Sequence, residues 1–152
     1  MLMLVFYVGN DRYALDSAQV VEVIPRVRLR KVYHVPTYVA GLFNYRGAIV
    51  PVIDLGYLIQ DSPCSSLFST RIIMVNYQGK NEMRCLMGLM AQRVTETLNQ
   101  SDTELATTGF NLQQAPYLGE MMIDEQGMIQ RIRLDYLFSD YHQSHLLPLL
   151  ES

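Results

Sequence analysis

Apolar and β-branched residues fall in short runs cut by Gly, Pro, Asn and Asp, and no long window sustains the helical period. The pattern predicts a mostly β chain. Met1 to Val8 and Tyr13 to Leu15 flank Gly9-Asn10-Asp11-Arg12, a hairpin signal because Gly and Asn accept positive φ where a tight turn needs it. Val20 to Ile24, Ile49 to Ile53, Ile72 to Tyr77, Arg84 to Met90 and Ile129 to Leu134 read as further strands. Short helical turns are expected at Pro36 to Leu42, where Pro opens a helix, at Leu55 to Gln60 and at Tyr136 to Tyr141. Ser62 to Ser69 and Asn99 to Pro116 read as polar connections.

The pattern also repeats. Tyr38-Val39 and Tyr117-Leu118 each precede a glycine turn, and the same offset aligns Val50 with Ile129, Ile53 with Ile132, Leu55 with Leu134, Tyr57 with Tyr136 and Leu58 with Leu137. Earlier in the chain, Val5 to Gly9 matches Val75 to Gly79 more loosely, and Gln19-Val20-Val21-Glu22 matches Arg93-Val94-Thr95-Glu96. The order is A, B, A′, B′. Duplicated halves made of short strands point to two small barrels related by pseudo-symmetry, since closing each sheet removes the unpaired edges that invite aggregation.

Composition narrows the class. The 152 residues are 49% apolar and carry 12 Lys and Arg against 15 Asp and Glu, a net charge of −3. A chain of this size buries ~70% of the surface its unfolded form exposes, so neither intrinsic disorder nor a disulfide framework is expected. The net acidity gives no general attraction to phosphate and disfavours a broadly basic nucleic-acid binder. Met1 to Val8 is far shorter than the ~20 residues of a membrane span and has no basic leader, so it reads as a first strand. A cytoplasmic protein with no direct membrane insertion is the expectation.

The sharpest stretch is Gly41-Leu42-Phe43-Asn44-Tyr45-Arg46-Gly47-Ala48-Ile49-Val50-Pro51-Val52-Ile53-Asp54-Leu55, where two glycines bracket a turn presenting Asn44 and Arg46 before an apolar strand. It closely resembles the signature of the CheW-like chemotaxis coupling proteins: a Gly, two apolar residues, Asn-Leu-Arg-Gly, then a strand ending Pro-Val-Ile-Asp-Leu. Tyr13-Ala14-Leu15, Gln19 to Ile24, Tyr117-Leu118-Gly119 and Leu134-Asp135-Tyr136-Leu137-Phe138 extend the resemblance over about Met3 to Phe138. The resemblance implies an all-β fold of two intertwined five-stranded SH3-like barrels with short helices. Residues 1–140 would be one domain of two pseudo-repeated barrel subdomains, and residues 141–152 a C-terminal tail. It further implies a non-catalytic adaptor without cofactor, joining the cytoplasmic tip of methyl-accepting receptors to a CheA-type histidine kinase, recruited to receptor arrays and self-associating weakly. Asn-Tyr-Arg in place of Asn-Leu-Arg, Gly56 where an Arg is usual, and Met90-Ala91-Gln92 look more like the Wsp-type surface-sensing branch, whose kinase output is cyclic di-GMP.

Individual residues carry competing readings. The resemblance sets the positions of Glu22 and Arg46 close together, so they either pair across a barrel, with Arg46 half-buried, or are two solvated charges. Val20, Leu42, Ile49 and Val94 are placed by the resemblance near the groove between barrels; ordinary core packing is the equal alternative. Gly41 and Gly47 are expected where positive φ or close backbone approach excludes a side chain. Arg26-Val27-Arg28-Leu29-Arg30-Lys31 puts Arg28 and Arg30 on one face if extended, suiting an acidic face of kinase or receptor. The same run supports the alternative function, a small barrel binding single-stranded nucleic acid. His142 and His145 sit in the tail without a third ligand, and Cys64 and Cys85 have no neighbouring His, so neither a metal nor a thiol triad is expected. Asp54 ends a strand and is expected to cap the following turn rather than accept a phosphoryl group.

Overall fold

The computed structural model describes residues 1–64, 68–78, 84–106 and 115–137. Among these, ten strands and one short α-helix follow one another: β1 (Leu2–Val8), β2 (Asp11–Asp16), β3 (Val20–Pro25), β4 (Val39–Tyr45), β5 (Ala48–Asp54), α1 (Leu55–Gln60), β6 (Thr70–Gln78), β7 (Arg84–Asn99), β8 (Glu104–Leu105), β9 (Leu118–Asp124) and β10 (Gly127–Ile132). Gly9, at φ +61°, turns the chain between β1 and β2.

One barrel is built from β3, β6, the first half of β7, β5 and β4. Antiparallel ladders join β3 to β6 (Val20 to Val75, Ile24 to Ile72) and β6 to β7 (Ile73 to Leu89), and β5 then runs parallel to β7 through Val52 and Gly88. β4 pairs with β5, and Arg30, downstream of β3, exchanges two backbone hydrogen bonds of 2.7 and 2.8 Å with Leu42. That bridge returns the sheet to its starting side. The second barrel uses the other half of β7, whose Glu96 to Asn99 pair with Val5 to Leu2, followed by β2, β10 and β9, with β8 at the edge.

β7 therefore serves both barrels. Its ladder with β1 slips between Tyr7, opposite Gln92, and Val5, opposite Glu96, at Arg93, which sits at φ +45°. The exchange is reciprocal: β3 follows the β1–β2 hairpin but pairs with β6, while the end of β7 follows the β6–β7 hairpin but pairs with β1. The barrels are thereby intertwined.

Burial separates three apolar clusters. Tyr45, Val50, Val52, Ile72, Met74 and Met90 fill the first barrel, and Met3, Val5, Ala14, Met122 and Ile129 fill the second. The largest cluster, including Phe6, Leu15, Ile53, Ile73, Val75, Leu89 and Leu134, uses the opposite faces of the same strands. Strands with both faces covered read as continuous apolar runs, which is why Ile72 to Tyr77 and Val50 to Ile53 lack polar alternation.

Several expectations need correction. Pro36 to Leu42 is not helical: a turn closes from Val39 N to the Pro36 carbonyl at 3.0 Å, and β4 begins at once because it must pair with both β5 and Arg30. β7 runs on past Met90 to Asn99, and β10 stops at Ile132, short of Leu134. Beyond β10 the described chain holds a single 3-10 turn, Leu134–Tyr136. Gly79, Phe138, His142, His145 and the tail 141–152 lie outside the described residues. No helix among those described is long and apolar enough to cross a membrane.

Candidate functional site

The β4–β5 connection is a two-residue turn with Arg46 at φ +51° and Gly47 at φ +93°. Two successive positive φ values make a type I′ hairpin turn, whose twist matches that of the flanking strands. Gly47 takes its conformation freely, and a Cβ there would meet open space, so the backbone angle is its whole constraint. Arg46 has no such freedom, and the left-handed region costs a non-glycine residue roughly 1–2 kcal/mol. The side chains around it offset that cost. Asn44 Oδ1 accepts the Gly47 N–H at 2.8 Å, Arg46 Nη2 donates to both carboxylate oxygens of Glu22 at 3.1 Å, and the guanidinium lies 5.1 Å from the centre of the Tyr45 ring.

Tyr45 completes the cluster by donating its phenol hydrogen to Glu22 Oε1 at 2.5 Å. That hydrogen bond, followed by burial, raises the phenol above its ordinary pKa, because only the neutral phenol can donate. The predicted Glu22–Arg46 pair thus forms, but Arg46 is not half-buried: its side chain is 71% exposed against 34% for Glu22. The buried member is Tyr45, which sequence reasoning noted only as a departure from Leu.

The remaining site residues divide. Leu42, Asn44 and Ile49 share one face of the β4–β5 hairpin, with Asn44 opposite Ile49 and Ile49 exposed. Val20 and Val94 are half-buried against the central cluster instead, so the structure does not gather all four apolar residues into one patch. Gly41 answers to close approach, since a Cβ there would lie 2.6 Å from the Arg30 carbonyl oxygen. Exposed Val21 and Val23, on the other face of β3 from Glu22, were missed; that face of β3 is left uncovered, and nothing local in the sequence signals it.

A second charged cluster sits in the other barrel. Arg12 on β2 forms a two-pronged contact with Asp124 at the end of β9, both hydrogen bonds 2.7 Å long, and approaches Glu96 at 3.7 Å. The side chains of Arg12 and Asp124 are 6% and 12% exposed. The hydrogen bond from Arg12 holds the Asp124 carboxyl below its ordinary pKa and, reciprocally, raises that of Arg12. Glu96 is the residue that the internal repeat aligns with Glu22.

Asp54 caps α1 as expected. Its Oδ1 accepts the N–H groups of Gly56 and Tyr57 at 2.8 and 3.4 Å, and both oxygens accept the Cys64 N–H at 3.1 and 3.2 Å. A side chain on Gly56 would overlap the Ser62 carbonyl oxygen, which accounts for glycine where an Arg is usual. Burial, and then the charge of Asp54, push the Cys64 thiol up to about 12. It is held as an inert thiol.

Comparison with known proteins bears on the fold and the family. A CheW protein of Rhizobium etli, described as probable, is 26% identical over 91% of this chain and 87% of its own length. For the CheW protein of Klebsiella aerogenes the identity is 27% over 63% of this chain, and the chain spans only 55% of that relative. The crystal structure of the scaffolding protein TtCheW from Thermoanaerobacter tengcongensis superposes with a TM-score of 0.73 at 26% identity, covering 93% of this chain and 89% of that one. The CheW-like domain model matches residues 2–142. Because that match runs from β1 through both barrels and past the last described strand, this chain belongs to the CheW-like domain family.

Proposed function

We propose that the chain is a non-catalytic adaptor that holds a methyl-accepting receptor tip and a CheA-type histidine kinase in one cytoplasmic chemosensory array. The observation that carries the reading is its likeness, over nearly the whole chain, to a protein described as a scaffolding protein. In this reading residues 1–140 are one CheW-like domain of two barrel subdomains and residues 141–152 a tail. The Asn-Tyr-Arg turn and Gly56 favour a Wsp-type array, whose output is cyclic di-GMP. An adaptor draws its affinity from apolar surface framed by polar groups. In this reading Leu42 and Ile49, with Asn44 on the same hairpin face and Arg46 at its turn, form one such surface; Glu22 holds Arg46 from the Tyr45 side, Gly41 and Gly47 fix the shape, and Val20 and Val94 lie at the margin of the central cluster.

Co-sedimentation tests it. Purified chain is mixed with receptor-tip and kinase regulatory fragments from its own genome, alone and together, and in parallel with a single-stranded oligonucleotide. Joint retention of both fragments is expected, and Ile49→Glu is expected to weaken one of the two contacts. Retention of the oligonucleotide and of neither fragment would replace the adaptor with the nucleic-acid reading.

A further inference from the structure

The basic run Arg26 to Lys31 has no part in the clasp at the β4–β5 turn, yet the fold presents it in a particular way. Val27 and Leu29 are half-buried and pack against the first barrel's core, while Arg26, Arg28 and Arg30 between and beside them are exposed. The period of two is that of an extended chain, so the three arginines leave one face from backbone positions about 7 Å apart. Arg30 is pinned by its two backbone hydrogen bonds to Leu42, and Gly41 lets the strands come close enough to make them. The row is pre-organised, which reduces the ordering cost of binding. Among the described residues none of Arg26, Arg28, Arg30 and Lys31 makes an ion pair; Lys31 lies over the ring of Tyr33, 5.5 Å from its centre.

We infer that this row is a docking strip for an extended acidic segment of a protein partner, whose alternate carboxylates repeat at the same spacing as the arginines. The inference deepens the adaptor reading, on which it rests, by giving the chemistry of one contact. Charge distribution decides between occupants. Outside this run, 8 of the 12 Lys and Arg remain against all 15 Asp and Glu. A long polyanion, whether nucleic acid or an anionic bilayer, extends beyond the strip over a molecule whose remaining charge is net negative and repels it. A short acidic segment meets the arginines alone.

The test titrates the full chain at low salt with a peptide of alternating Glu and Thr, and with its Gln-for-Glu counterpart, while amide chemical shifts are followed. Expected are saturating shifts confined to residues 26–31 and their Leu42 neighbour, seen with the Glu peptide only and abolished by R26Q/R28Q/R30Q. Arg28→Gln alone, which leaves the bridged residue untouched, weakens the response and guards against misfolding of the triple variant. The triple variant is also expected to bind one of the receptor or kinase fragments roughly tenfold less well than the parent. No shifts at the strip, stronger binding of a thymidine oligonucleotide or of phosphatidylglycerol vesicles, or unchanged affinity of the triple variant for both fragments would each overturn the inference. Failure of the parent chain to bind either fragment, with peptide binding intact, would instead count against the adaptor reading.

Discussion

Replacing Asp124 by Asn tests whether the second barrel is held shut by a dry ion pair. The substitution keeps shape and removes the charge that faces Arg12 across two 2.7 Å hydrogen bonds. Breaking one partner of a buried pair costs about 3–5 kcal/mol, because the other charge stays buried without compensation. The low end applies here. Glu96 remains 3.7 Å from Arg12 and is 43% exposed, so it supplies a screened substitute, although Arg12 Nε already lacks a hydrogen-bond partner. About 3 kcal/mol lowers the melting temperature of a chain this long by roughly 6–12 °C. Urea unfolding at pH 7 measures it, with R12M/D124L expected to regain most of the loss, since two apolar residues leave no stranded charge. Acid gives an independent check with a fixed sign. Asp124 has a folded pKa below its ordinary 3.8, so its contribution is complete above the unfolded value and disappears as pH falls through the folded one. The gap between parent and Asp124→Asn is therefore constant from neutral pH down to about pH 5 and closes below about pH 4. A gap under about 1 kcal/mol at pH 7, or one that widens on acidification, refutes the reasoning.

The two turn glycines separate two kinds of constraint. Gly41→Ala drives a methyl against the Arg30 carbonyl and is expected to cost about 2 kcal/mol or more, whereas Gly47→Ala meets only its backbone angle and costs about 1 kcal/mol; chemical denaturation ranks them. Arg46→Ala is expected to change stability by less than about 1 kcal/mol, because its side chain is 71% exposed, while weakening retention of a receptor or kinase fragment; a loss of several kcal/mol in the melt would make it a structural residue instead. Cys64, its thiol pushed up to about 12, is expected to react with a disulfide reagent at pH 8 at least tenfold more slowly in the folded chain than in urea. Comparable rates in the two states would contradict its enclosure.

The parts of this fold legible in the sequence are those whose signals are local. Gly9-Asn10 announced a hairpin, Asp54 announced a helix cap, and the apolar runs of β5 and β6 announced strands. What stayed hidden depends on partners distant in sequence. β4 was mistaken for a helical turn because Pro36 is a good helix opener, and only pairing with Arg30 and β5 overrides it. The second half of β7 looks polar because Thr95, Glu96 and Thr97 face solvent, and its strand character comes from β1. Glu22 and Arg46 could be named together because the resemblance sets the matching family positions close to one another, and a glycine turn marks Arg46. Arg12 and Asp124, 112 positions apart, share no motif at all. Tyr45 is a further case: the sequence showed it only as a departure from Leu in the turn motif, and both its burial in the first barrel and its hydrogen bond to Glu22 needed the geometry.

The internal repeat gives the two charged clusters a common logic. Glu22 and Glu96 occupy matching positions, each on the strand that leaves its own hairpin to complete the other barrel, and each faces residues at the turn end of a late hairpin: Tyr45 and Arg46 in one barrel, Asp124 through Arg12 in the other. The environments then diverge. Arg12 and Asp124 are dry, so exchanging either for another partner strands a buried charge and is strongly disfavoured. Glu22 and Arg46 are wet, so their mutual attraction is worth less than about 1 kcal/mol and competes on nearly equal terms with an incoming carboxylate or guanidinium. The repeat sets a charged clasp in each barrel; burial makes one a fastening and leaves the other open to exchange. The exchangeable one lies in the same barrel as the arginine row and Ile49, so a partner bound on that barrel could rearrange the clasp without unfolding it.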